Sequence, residues 1–138
     1  MSHFCKNVLI RCMDFRLNNE VDKWIKNSNF FEHGYDLISV AGASKRIAEE
    51  GKEILGDVSV SANLHHVEKI IIMHHSDCGA YAQSYNFSSP DEEKEKQFFD
   101  MKKSEKILKS KYPHLEIIKV WAELLDNKGK KIKFSIVE

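Results

Sequence analysis

The sequence has no surplus of charge of either sign. Lys+Arg and Asp+Glu number 21 each, and the formal net charge is +0 with histidine neutral. A chain without basic excess lacks the electrostatic footprint that draws proteins to nucleic acid or to anionic membrane surfaces. Near-zero charge also leaves association between copies unopposed by self-repulsion. Long apolar runs are missing as well. None approaches the roughly 18 to 20 residues needed to cross a bilayer, and the opening Met1-Ser2-His3-Phe4 lacks the apolar region of a secretory signal. These absences predict a cytoplasmic protein with no nucleic-acid and no membrane partner. Cysteine is scarce, at three residues. An odd count without an export signal points to metal binding or catalysis rather than to a disulfide framework.

What is present fits one domain spanning residues 1–138, with 42% hydrophobic and 30% charged residues, the profile of a globular protein with one core. Strand and helix patterns alternate along it. Asn7 to Arg11 reads as a short buried strand, followed by the loop Cys12-Met13-Asp14-Phe15-Arg16. Leu17, Val21, Trp24 and Ile25 recur at the spacing of one helix face. Asp36 to Val40 reads as a second strand, ending in the small-residue turn Ala41-Gly42-Ala43-Ser44. Ser44 is placed to cap a helix that Gly56 stops near Leu55, and Asp57 to cap the next, which would carry Leu64 and Val67 inward.

The continuous run Lys69-Ile70-Ile71-Ile72-Met73-His74 predicts a strand covered on both faces. His75-Ser76-Asp77-Cys78-Gly79 is the loop after it. Residues 88–111 are polar and lysine-rich; Phe98, Met101 and Leu108 predict a helix packed along a thin stripe, after a break at Ser88-Ser89-Pro90-Asp91. Leu115 to Trp121 and Ile132 to Val137 read as strands joined through a turn at Asp126-Asn127-Lys128-Gly129. The predicted fold is α/β: a mostly parallel central sheet flanked by helices, with an antiparallel edge strand.

Two loops carry the chemistry, each following the carboxyl end of a predicted buried strand, where open α/β sheets bind ligands. If the first and third strands are neighbours, about 4.8 Å apart, Cys12 meets His75 and Cys78. Two thiolates and an imidazole suit a catalytic zinc, leaving the fourth tetrahedral position for water or substrate. Two thiolates also moderate how strongly the ion acidifies water, so the surroundings must supply the rest. Arg16 can grip the Asp14 carboxylate bidentately and keep it ionised and oriented. Released from Arg16, the same carboxylate could swing onto the metal.

Other conspicuous side chains have plainer readings. Asp77 shapes the loop between two candidate ligands. His74, next to His75 on a strand, points to the opposite face and is structural. His65-His66 on a predicted helix are packing or surface histidines, Cys5 is a spare thiol, and the lysines between 94 and 111 form a solvated helix face. Gly42 allows close approach at a tight turn.

In order, type and spacing, Cys12-Met13-Asp14-Phe15-Arg16-Leu17, then Ala41-Gly42, then His74-His75-Ser76-Asp77-Cys78-Gly79 resemble the β-class carbonic anhydrases. Val120 to Gly129 also resembles their final strand and hairpin. The likeness covers most of residues 6–137 and is weak over 85–112. It implies zinc ligands Cys12, His75 and Cys78, one Zn2+ per chain, and a catalytic Asp14–Arg16 dyad. It further implies reversible hydration of carbon dioxide to bicarbonate by zinc-bound hydroxide, in a homodimer or higher even-numbered homo-oligomer. The chain departs from the family in having Ser39-Val40 where Arg-Asn commonly precedes Ala-Gly, and it shows no counterpart to the N-terminal helical arm of many members. Two alternatives share the scaffold: a zinc hydrolase of carbon disulfide or carbonyl sulfide, and a zinc-binding protein without catalysis.

Overall fold

The computed structural model describes residues 3–138; Met1 and Ser2, which begin the stretch read as lacking a signal sequence, lie outside the described residues. Five strands, β1 (Asn7–Cys12), β2 (Tyr35–Val40), β3 (Lys69–His75), β4 (Glu116–Leu124) and β5 (Ile132–Val137), form one sheet in the order β2-β1-β3-β4-β5. The first four run parallel, and β5 pairs antiparallel with β4 at the edge. The strand order therefore reverses beside β1, with β2 on one side and β3 on the other. Such a switch point opens a crevice at the carboxyl ends of the strands.

Two apolar clusters sandwich the sheet. Val8, Ile10, Ile70 and Ile72 face one side with Met101 and Leu108; Leu9, Ile71 and Met73 face the other with Leu17, Val21 and Tyr81. This two-sided burial is why β1 and β3 read as unbroken apolar runs rather than alternating ones. Five helices cover the faces: α1 (Asn18–Lys26), α2 (Lys45–Ala48), α3 (Lys52–Asn63), α4 (Gly79–Ser84) and α5 (Pro90–Lys111). None is long and apolar enough to cross a membrane among the described residues.

Several boundaries differ from the sequence expectation. The helix expected from Ser44 to Leu55 is two helices, broken where Glu50 takes a positive φ of 59°. Gly56 and Asp57 lie inside α3 rather than ending one helix and capping another. The propensity cost of one glycine, about 1 kcal/mol, is outweighed by the burial of Ile54 and Val58 on the same helix. Leu64 ends 63% exposed while Val67 is buried beyond the helix, and His65-His66 lie in the connection to β3. Ser44 makes no capping bond, because its hydroxyl is taken by His74. The cap of α5 is Ser89, whose Oγ accepts from the Glu92 N–H, with Pro90 opening the helix. The helix α4 directly after Cys78 was not anticipated.

Candidate metal centre

Cys12 closes β1, His75 closes β3, and Cys78 stands at the start of α4. All three are buried, and one ligand atom from each lies within 4.8 Å of the others. The Cys12 and Cys78 sulfurs are 3.9 Å apart. Alternation along β3 turns His75 to the face of Leu9 and Met73, and His74 to the opposite one. His75 Nδ1 lies 2.7 Å from the Ser76 carbonyl, to which it donates. That leaves Nε2 with its lone pair free, and this buried atom has no hydrogen-bond partner. An orphaned imidazole nitrogen beside two buried sulfurs is the donor set of a borderline-soft ion such as zinc. The residues fit the metal.

The two thiols are electrostatically linked. Hydrogen bonding from Cys78 draws the Cys12 thiol down toward thiolate against the effect of burial. The Cys78 thiol, facing that thiolate, is pushed up. A divalent ion between the sulfurs would remove the remaining proton, since coordination requires both as thiolates.

Asp14 lies at the edge of this group, its Oδ2 3.8 Å from His75 Nε2. Arg16 holds it through Nη2 to Oδ2 at 2.8 Å, Nε to Oδ1 at 3.1 Å and the backbone N–H to Oδ1 at 2.9 Å. These bonds keep the carboxyl below its ordinary range and raise the guanidinium further. Arg16 also reaches Asp77, donating through Nη1 to its carboxylate at 3.0 Å and through Nη2 to its carbonyl at 2.9 Å. Asp77, at φ 56°, thus ties the His75–Cys78 loop to the Cys12–Arg16 loop. The hairpin after β4 presses on the same point: a Cβ at Gly129, φ +75°, would collide with the Arg16 carbonyl. Cys12, Asp14 and Arg16 open onto a cleft of about 650 Å³ with Met13, Phe15 and Ala41 on its walls.

Sequence reasoning missed the support from α5. Glu93 Oε2 accepts from the Cys78 N–H at 2.9 Å and from Gln97 Nε2 at 2.7 Å. Gln97 Nε2 also donates to the His75 carbonyl at 2.9 Å, and its Oε1 lies 2.9 Å from His74 Nδ1. His74 Nε2 accepts from the Ser44 N–H at 3.2 Å, so Nδ1 carries the ring proton and donates to Gln97. Burial lowers its pKa to about 4 and keeps it neutral. The signal was the spacing Glu93, Gln97, Asp100, Ser104, a polar stripe at helical period; the last three are buried. Lysines 102, 103, 106, 109 and 111 form the solvated face expected of this helix, whereas Lys94 and Lys96 are half-buried, Lys96 donating to Asp100 at 3.0 Å.

A mostly parallel five-stranded sheet flanked by helices, with an antiparallel edge strand, is the fold of the β-carbonic anhydrases. The model of the family described as "Putative carbonic anhydrase" matches residues 2–133, and the chain belongs to that family. An uncharacterized protein of Rickettsia bellii (strain RML369-C) is 34% identical over 118 residues, covering 80% of this chain and 71% of that one. Among solved structures, β-carbonic anhydrase isoform I of Trichomonas vaginalis superposes with a TM-score of 0.64 at 17% identity, covering 98% of this chain and 83% of that one. One of two tetrameric β-carbonic anhydrases of Sordaria macrospora gives 0.65 at 13% identity, covering 96% and 81%. The apo form of a carbon disulfide hydrolase gives 0.51 at 14%, covering 100% and 89%. At these identities the structural likenesses concern the fold.

Proposed function

We propose that the chain is a zinc-dependent carbonic anhydrase that interconverts carbon dioxide and bicarbonate, with Cys12, His75 and Cys78 as metal ligands and Asp14 and Arg16 as the catalytic dyad. The observation that carries this reading is Asp14, locked by Arg16, beside a buried Cys–His–Cys group of which Cys12 opens onto the cleft. When bound, zinc supplies a Lewis acid that brings the pKa of water toward neutrality. Asp14 accepts a hydrogen bond from the attacking oxygen and fixes the direction of its remaining lone pair. Arg16 keeps that carboxylate charged and prevents it from rotating toward His75. Met13, Phe15 and Ala41 give carbon dioxide an apolar wall against which to sit. Attack forms one carbon–oxygen bond and moves one carbon–oxygen π pair onto oxygen; bicarbonate leaves by the cleft and the proton of the attacking water passes to solvent.

Stopped-flow measurement of carbon dioxide hydration by the zinc-loaded protein tests the reading. The wild type should turn over, and Cys78→Ser should lose the zinc of this centre and its activity. A wild type that binds zinc without hydrating carbon dioxide would leave a zinc-binding protein of the same fold. A second reading, hydrolysis of carbon disulfide or carbonyl sulfide, uses the same residues and is supported by the likeness to the carbon disulfide hydrolase; sulfide release from carbon disulfide distinguishes it. The reading includes a cytoplasmic location and a homodimer or larger even-numbered assembly, supported by the likeness to the Sordaria proteins described as tetrameric.

A further inference from the structure

A second group of metal-ligand side chains lies at the other end of the sheet. Cys5, Asp36 and His65 each offer one ligand atom, all within 4.8 Å of one another. Cys5 precedes β1, Asp36 lies near the start of β2, and His65 lies in the connection from α3 to β3. Asp36 pairs with Val8, so the group gathers at the amino ends of the strands, whereas Cys12 closes β1 at its carboxyl end. Seven residues separate Cys5 from Cys12, about 23 Å at the rise of a strand. The two groups share no residue.

The group is held together by bonds that orient it. The Cys5 N–H donates to the His65 carbonyl at 3.1 Å. Ser61 Oγ donates to Asp36 Oδ2 at 2.7 Å, and His65 Nδ1 lies 2.7 Å from the same oxygen. A hydroxyl fixing a carboxylate in this way is a common outer support of a metal ligand. The Asp36 and His65 side chains retain 28% and 29% of their exposure, so an ion can reach them without unfolding. The His3 ring lies outside this three-residue group but meets the His65 ring edge-on, with centroids 5.5 Å apart, near enough to supply a fourth donor by a side-chain rotation. Two imidazoles bound to one ion through bonds of about 2.0 to 2.1 Å can keep such a separation.

We propose that His3, Cys5, Asp36 and His65 form a second site for a divalent transition ion of the zinc class, fastening the segment before β1 onto β2 and the α3–β3 connection. One thiolate, one carboxylate and two imidazoles make a tetrahedral N/O/S set that suits zinc or cobalt and not the all-oxygen preference of calcium or magnesium. When the ion binds, the Cys5 thiol proton passes to solvent and the Nδ1 proton that His65 shares with Asp36 Oδ2 moves to Nε2, which frees the Nδ1 lone pair for the metal. The spare-thiol reading of Cys5 and the packing reading of His65 treated each residue alone; the fold brings them together from 60 positions apart.

Cobalt(II) titration of the full chain, followed by thiolate-to-cobalt absorption and by metal analysis after gel filtration, tests the site. The wild type should bind two equivalents, and Cys5→Ser should bind one and lose part of the thiolate band. His3→Ala, changing an exposed side chain, should lose the same equivalent at cobalt concentrations that fill it in the wild type. Cys78→Ser should keep the Cys5 equivalent, so a failure of this site is separable from a failure of the proposed catalytic centre. A wild type that binds one equivalent, or a Cys5→Ser protein that still binds two, overturns the proposal. A second equivalent held as tightly by His3→Ala as by the wild type overturns the four-ligand set.

Discussion

At the residue scale the decisive contact is between Asp14 and Arg16. An exposed ion pair contributes little, but this one is bidentate and both side chains are mostly covered, at 14% and 13% exposure. Asp14→Asn should leave zinc content near that of the wild type, because the three proposed ligands are untouched. It should lower hydration by about 10²-fold or more, the order lost when a preorganised hydrogen-bond partner of the reacting oxygen is removed, because an amide can turn its NH₂ toward the attacking oxygen. Arg16→Ala should also depress turnover, by a different route: the released carboxylate would move toward the metal and occupy the place of water. After cobalt substitution the two variants should differ in absorption, with a new oxygen ligand in Arg16→Ala alone. Near-normal turnover in both would make the pair a loop salt bridge. The same pairing predicts a pH effect. The folded Asp14 pKa is depressed, chiefly by the Arg16 hydrogen bonds. Its stabilising contribution is therefore fully present above the unfolded value of about 3.9 and is lost as pH falls through the folded value. Denaturant unfolding between pH 5 and pH 2 should show a shallower acid loss of stability in Asp14→Asn than in the wild type.

At the element scale, α5 and the loop after β3 act as a unit. Gln97 joins His74, the His75 carbonyl and Glu93, and Glu93 holds the Cys78 N–H. Gln97→Leu keeps the helix and approximately the volume but strands those partners in a buried place. Its zinc affinity should fall by about 10- to 100-fold, the usual effect of losing an outer support, with far-ultraviolet circular dichroism unchanged; competition against a chelator measures it. Unchanged affinity would show that the loop holds its shape without α5. This element also marks where the sequence was legible and where it was not. The strands β1 and β3 and the Cys12, His75 and Cys78 positions were readable because burial on both faces and fixed motif spacing are local properties. The role of Gln97 was not, because its partners are set by tertiary packing and a polar residue on a lysine-rich helix reads as solvated. The break at Glu50-Gly51 was obscured in the same way. Ser44 looked like a cap, whereas the fold commits its hydroxyl to His74 from a strand 30 residues away.

At the scale of the whole molecule, the apolar surface is unevenly placed. Phe15 and Met13 are 79% and 64% exposed at the mouth of the cleft, and Leu37 is 51% exposed on β2. Strand β2 pairs only with β1 among the described residues, so it offers an open edge. Proteins that stay monomeric usually blunt such an edge with lysine, proline or a bulge. Here β2 reads Tyr-Asp-Leu-Ile-Ser-Val, with no basic residue and no proline. A neutral net charge adds no long-range repulsion between copies. A closed assembly with two-fold symmetry would cover this edge in both copies at once, which is why an even number of chains is expected. Light scattering at micromolar concentration should give a dimer or a larger even-numbered species. Leu37→Lys, placing a charge on the open strand away from Cys12, Asp14, His75 and Cys78, should shift the protein toward monomer while each chain keeps its zinc. If assembly also shields the cleft walls at Met13 and Phe15, hydration by Leu37→Lys should fall at low protein concentration and recover as concentration rises. A wild type that scatters as a monomer would contradict the expected assembly and weaken the enzymatic reading with it.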